Sequence, residues 1–302
     1  MTPARANRRG MFALAGAMAS FAVNDTLIKL AAQRYPLGEV ITVRGVIASL
    51  IVGAILLASG DLRSVRHAGN RLLLLRTLFD GAAMVLFTTA LIHLPLAELS
   101  AINLVSPLII TALAVIFFAE EVGWRRWTAI AIGFLGTLFI VKPTPSAFNA
   151  WALLGIACAF AGAGRDVITR RLDIAIPTTL ISLMAAVSSA IIGAIMGQFE
   201  QWPPMALFDV GLLTISAAFV AIGYFLIVIA FRGVDVAAIA PFRYTLLIWA
   251  GICGYLAFGE VPDRFALFGS TLIVGSGLYA LHREVVRHRT LAAAVPPAEP
   301  GA

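Results

Sequence analysis

Between Asp235 and Glu260 the chain runs through about 23 apolar residues, enough as a helix to cross the ~30 Å hydrocarbon core of a bilayer. One full charge, Arg243, interrupts the run. A charge at that depth costs ~2.5–3.5 kcal/mol on insertion scales, so Arg243 is expected to face protein or a wet cavity. The run is one of ten. The others cover roughly 10–31, 38–58, 72–92, 96–118, 124–141, 150–169, 178–197, 209–230 and 264–281, with this one at 236–258. Turn-forming residues separate them, among them Tyr35-Pro36-Leu37-Gly38, His93-Leu94-Pro95, Pro143-Thr144-Pro145 and Trp202-Pro203-Pro204. Most connections are short, so neighbouring spans are expected to pack as antiparallel helices.

Composition agrees. Hydrophobic residues make up 60% and charged residues 13%, against ~45–50% and ~25% in a soluble domain. Mean hydropathy is +0.94. These values exclude a pair of soluble domains and require a polytopic membrane protein, with the lipid bilayer as its first partner. The net charge of +6 invites a nucleic-acid reading, but the placement of the charges speaks for topology instead. With the N-terminus in the cytoplasm, fourteen of the 22 basic residues fall on the inner side and three on the outer, with five inside spans. This positive-inside bias predicts both termini cytoplasmic, in the cell (inner) membrane. Arg5, Arg8 and Arg9 before an apolar run resemble a signal peptide, but the run reaches Leu30 and predicts a retained first helix. The tail 283–302, basic and then rich in Ala and Pro, is expected to be disordered.

Nothing in the sequence builds an active site. Cys158 and Cys253 lie inside spans without CxxC spacing, and His67, His93, His282 and His288 are scattered. No HExxH, P-loop or GxGxxG occurs. No metal, cofactor or catalytic residue is expected, and no nucleic-acid partner.

An internal repeat organises the spans. Glu121-Val122 followed by Arg125 matches Glu260-Val261 followed by Arg264, and at the same offset Gly136 falls on Gly275. Asp25 and Lys29 in span one correspond to Asp166 and Arg170 in span six. Five spans per half is an odd number, so similar halves must enter the membrane from opposite sides. The expected fold is all-α integral membrane: ten transmembrane helices in two inverted five-helix repeats, 10–141 and 150–282, around a central cavity. Residues 1–9 form a cytoplasmic segment ahead of them. Inverted repeats are a common transporter architecture, with substrate bound near the midplane.

These features resemble the drug/metabolite transporter superfamily, in particular its ten-helix EamA-type members. The resemblance covers residues 10–282. It rests on Asn24-Asp25 with Lys29, on Arg44, on Ser106-Pro107 leading to Glu121, and on Ala240-Pro241-Phe242-Arg243-Tyr244 leading to Gly259-Glu260-Val261-Pro262-Asp263. The Asn-Asp and Ala-Pro-Phe-Arg-Tyr elements look like a bacterial subgroup that includes S-adenosylmethionine uptake transporters and riboflavin importers. The resemblance implies alternating access without ATP hydrolysis and a small-molecule substrate. Pro107 departs from the repeat, because Leu246 stands at the matching place in span nine.

Charges inside spans nominate the working residues. Arg243 and Arg44 suit carboxylate, phosphate or stacked aromatic partners, and Tyr244 and Trp249 offer rings to a flat substrate; these four form the expected substrate site. Asp80 lies one turn after Arg76, on the same face. Asp80, Asp25 and Glu98 are the expected charge-coupling groups, acting on a proton or counter-substrate. Each has a structural alternative. The aspartates and arginines can pair with one another, Glu98 can cap a helix start, and Tyr244 and Trp249 can pack or mark an interface. Glu121 and Glu260 are expected to end helices, and Gly193 and Gly197 to let helices approach closely. The resulting expectation is a secondary transporter importing S-adenosylmethionine or a vitamin such as riboflavin. Alternatives are an exporter of amino acids or drugs and, in another class, a membrane enzyme or assembly subunit.

Overall fold

The structure is a computed structural model that describes residues 3–118, 124–142, 149–169, 171–173, 176–231 and 240–294. The described residues are almost entirely helical and contain no strand. The helices are α1 (Pro3–Ala32), α2 (Leu37–Ala58), α3 (Arg71–Leu91), α4 (Leu96–Asn103), α5 (Ser106–Phe118), α6 (Trp124–Val141), α7 (Trp151–Thr169), α8 (Thr178–Met196), α9 (Leu207–Phe231), α10 (Thr245–Phe258) and α11 (Arg264–Ala294). A 3-10 stretch, Asp61–Gly69, joins α2 to α3, and a second, Ala240–Tyr244, leads into α10. Among the described residues eight helices are long and apolar enough to cross a membrane, and Trp127–Val141 is a shorter apolar helix.

Three departures from the expected spans have local causes. The span at 96–118 is broken into α4 and α5. Pro107 lacks an N–H, and its ring crowds the carbonyl four residues back, Asn103, a defect worth ~3 kcal/mol in a helix interior. The freed Asn103 carbonyl accepts the Ser106 hydroxyl at 2.7 Å. In the span at 236–258, Arg243 sits in a 3-10 turn rather than deep in an α-helix. The tail expected to be disordered is instead helical as far as Ala294. Leu291 and Ala292–Ala294 are strong helix formers and extend α11 past the basic segment. Glu121, the repeat partner of Glu260, lies outside the described residues.

Packing interleaves the two halves of the chain. Helix α1 lies along α9, α2 along α8, α3 along α7 and α6 along α11, while α4 and α5 meet α7 and α10 meets α1 and α4. Each of the four long pairs joins a helix before residue 142 to one after residue 150. Without a hydrophobic drive between helices in lipid, such contacts depend on close van der Waals approach. Gly45 lets α2 meet α8: a Cβ there would lie 2.5 Å from the Ala190 backbone nitrogen. Gly193 on α8 returns the approach, with the Thr42 nitrogen 2.7 Å from its would-be Cβ. The main core gathers around α4, where Leu96, Leu99, Ile102 and Leu104 are buried with Ile28, Val40, Leu91 and Ile273. Large apolar side chains such as Leu50, Leu78, Phe225 and Leu256 point outward, as lipid requires.

Candidate substrate site

Charged side chains collect at two levels of the bundle. The first level lies at one end, where α1 turns into α2. The Lys29 ammonium donates to the Leu94 carbonyl and to Glu260 Oε1, both at 2.5 Å. Glu260 Oε2 accepts the Leu96 amide at 2.7 Å, serving a free N–H at the start of α4. The Lys29 side chain is only 8% exposed and Glu260 17%. Beside them Arg34 and the Tyr35 hydroxyl donate to Asp209, each at 2.9 Å, and the Gly38 amide donates to Glu200 at 3.0 Å. Lys142 pairs with Asp263, which also accepts the Ala266 amide at 2.8 Å and caps α11. Asp263 lies between spans. Burial would raise its pKa, but the Lys142 and backbone hydrogen bonds outweigh this and hold it below its ordinary value. His93 stacks on Trp151, with ring centroids 3.6 Å apart.

The second level lies deeper, within the spans. Asn24 accepts the Ser216 hydroxyl at 2.7 Å and an Arg44 N–H at 3.3 Å, and donates to Asp25 at 2.8 Å. Asn24 thus links Arg44 to Asp25. One layer on, Asp80 accepts Arg165 at 3.0 Å and lies 3.5 Å from Arg76, while Arg165 also donates to Asp166 at 2.9 Å. Tyr224, from α9, lies within electrostatic range of Asp80, Arg165, Arg76 and Arg44. Helices α1, α2 and α3 of the first half thus meet α7 and α9 of the second around one set of charges. The set is not sealed: Arg165 and Asp166 are about 30% exposed and Tyr224 50%.

The structure therefore brings together three of the residues nominated from sequence, Asp25, Arg44 and Asp80. The other four stand apart. Arg243 is exposed on its 3-10 turn, and no hydrogen bond or ion pair joins it to the cluster among the described residues. Tyr244 is buried, its hydroxyl against Gly277 of α11. Trp249 shares the outward stripe of α10 with Ile252 and Leu256. Glu98 lines a separate groove of about 420 Å³ between α4, α10 and α11, otherwise walled by residues such as Leu247, Ile248 and Leu267. Sequence reasoning passed over Tyr224 and Ser216, which stand eight residues apart in an otherwise apolar span. That polar pair was the available signal. Among the described residues no group of three His, Cys, Asp or Glu could hold a metal.

Long apolar helices around partly exposed charged side chains define an integral multi-pass membrane protein. Residues 8–142 match the EamA-like transporter family, a domain of the drug/metabolite transporter superfamily. The S-adenosylmethionine uptake transporter of Rickettsia bellii is 28% identical over 88% of this chain and 91% of its own. The pseudopaline exporter CntI of Pseudomonas aeruginosa UCBPP-PA14 is 25% identical over 84% and 89%. The riboflavin transporter of Brucella anthropi is 25% identical over 81% and 88%. One crystal structure, 17% identical, superposes with a TM-score of 0.63 over 95% of this chain and 99% of its own, a likeness of fold.

Proposed function

We propose that this protein is a secondary transporter of the cytoplasmic membrane that imports S-adenosylmethionine or a vitamin such as riboflavin by alternating access. The observation that carries the reading is the partly exposed, charged cluster made jointly by both halves of the chain. Its balance of cations and carboxylates suits a small polar metabolite with charges of its own. Arg44 orients the substrate, and Asp25 and Asp80 balance charge or take up a coupling proton. Arg243, exposed on its turn, makes first contact at the cytoplasmic mouth. Tyr244 and Trp249 serve packing and the lipid face. The cross-linked Lys29 end is the closed outer gate, with both termini on the opposite, cytoplasmic side.

Ten spans in two inverted halves complete the reading. Exchange α1 with α7, α2 with α8, α3 with α9, α4 and α5 with α10, and α6 with α11. The principal contacts then map onto one another: α1–α9 onto α7–α3, and α2–α8 and α6–α11 onto themselves. That invariance supports a two-fold relation between halves. An exporter is the second reading, favoured by the similarity to a pseudopaline exporter. Proteoliposomes separate the two. Saturable uptake of labelled S-adenosylmethionine or riboflavin, lowered roughly tenfold or more by Arg44→Ala, is the expected result, since losing a charged hydrogen bond costs ~1.5–3 kcal/mol. Absence of uptake for both, with saturable efflux of amino-acid metabolites, assigns export instead.

A further inference from the structure

The Tyr224 ring is 50% exposed, although it belongs to an apolar helix. On such a helix exposure normally means lipid, but spacing places Tyr224 on the other face. Leu213 and Ala217, eleven and seven residues earlier, lie within ~20° of it at ~100° per residue, and both are buried. Ile215 and Ile222 lie ~160–180° away and are 49% and 47% exposed. They form the lipid face, and Tyr224 opens inward.

The ring is held as well as open. Phe21 of α1 meets it edge-on, with centroids 5.5 Å apart and planes at 72°. Gly223 makes room for that contact, since a Cβ there would come within 2.7 Å of the Phe21 ring. Arg44, Arg76, Arg165 and Asp80 lie within electrostatic range of the Tyr224 hydroxyl. Arg76 pairs with Asp80 at 3.5 Å, and its buried Nε has no hydrogen-bond partner. A fixed aromatic surface near a cluster of arginines and aspartates suits a ligand that carries both a flat ring and ionised groups.

We infer that Tyr224 is the stacking platform for a planar heteroaromatic ring on a charged metabolite. The inference rests on the transport reading above and narrows its substrate class. Rings stack favourably offset over a tyrosine, and the charged cluster meets the ligand's ionised groups. Tyr224 is thus a specificity-determining residue, selecting ring-bearing metabolites over ringless ones of the same charge.

Equilibrium binding to the full-length protein in detergent micelles tests this, with S-adenosylmethionine as the charged ring-bearing probe and riboflavin as an uncharged one. S-methylmethionine, which has the same charged groups as S-adenosylmethionine and no ring, is expected to bind roughly tenfold or more weakly than it. The expected result is that Tyr224→Phe binds the ring-bearing probe within about twofold of the unaltered protein, while Tyr224→Leu binds it roughly tenfold or more weakly, as loss of aromatic stacking implies. Melting temperature reports whether Tyr224→Leu is folded. If it is not, Tyr224→Trp replaces it, and quenching of the added indole by bound riboflavin or S-adenosylmethionine is expected. Equal binding by the unaltered protein and folded Tyr224→Leu, or an unquenched Tyr224→Trp, overturns the platform and leaves the transport reading standing. If the unaltered protein binds neither ring-bearing probe, the substrate assignment fails and the platform with it.

Discussion

The Lys29 end and the Asp80 cluster both place charges inside an apolar bundle, yet they are built differently. At the Lys29 end each charge is committed to fixed partners, often the backbone. Lys29 takes Glu260 and the Leu94 carbonyl, and Glu260 takes Lys29 and the Leu96 amide. In the cluster, partners are shared: Asp80 stands between Arg165 and Arg76, and Arg165 between Asp80 and Asp166. The Lys29–Glu260 pair is drier than Arg165 and Asp166, at 8% and 17% exposed against 28% and 30%. A buried charge with fixed partners ties helix ends together. A charge with shared partners and partial exposure can exchange one of them for a ligand.

The sharpest way to break this contrast is to remove one side of the dry pair. Glu260→Ala leaves Lys29 buried without its carboxylate and should cost about 3–5 kcal/mol, read as a large fall in melting temperature of the purified protein. The paired change Lys29→Met with Glu260→Leu should recover much of that loss. If Glu260→Ala melts normally, the Lys29 end is not what holds the helices together. The opposite pattern is expected in the cluster. Asp80→Asn should lower transport by roughly tenfold or more, from loss of a charged hydrogen bond worth ~1.5–3 kcal/mol, with a smaller fall in melting than Glu260→Ala. A stability loss matching that of Glu260→Ala would erase the distinction.

A smaller effect tests the helix contact that supports both levels. Gly45→Ala drives a methyl against the Ala190 backbone, and such overpacking costs about 1–3 kcal/mol. The measurement is again thermal melting, and an unchanged value would mean that α2 and α8 stand further apart. The smallest effect belongs to Asp263. Its folded pKa lies below the ordinary 3.8, so its contribution is fully present above that pH and is lost as pH falls through the folded value. Asp263→Ala should cost ~1 kcal/mol, the value of a helix cap. It should also flatten the acid limb of a melting-temperature profile below pH 4.

Much of this molecule can be read from its residues in order. Apolar runs bounded by Pro, Gly and charge give the helices, and Ser106-Pro107 marks the break between α4 and α5. Gly193 marks a close crossing without saying which helix it meets. The site is only half legible. Asp25, Arg44 and Asp80 announce themselves as charges in apolar spans, but their partners come from afar. Arg165 is 85 residues from Asp80, and Glu260 is 231 residues from Lys29. No local pattern encodes such pairings. Arg243 reads as a charge within a helical span because 236–258 is one apolar run, whereas the residues at 240–244 form a 3-10 turn that leaves it exposed. Tyr224 escaped notice because an aromatic in an apolar run ordinarily meets lipid, and only the burial of Leu213 and Ala217 reveals which way it faces.

The interleaved pairing of α1 with α9 and α3 with α7 makes each half the missing wall of the other. Asn24 and Asp80 would have no Ser216 or Arg165 to meet until the ribosome had completed the later helices. The first half therefore waits in the bilayer with polar groups unmatched, and assembly can close only when translation is nearly finished. A gene cut between the halves would need both pieces made in the same cell, and neither piece alone would outlast quality control.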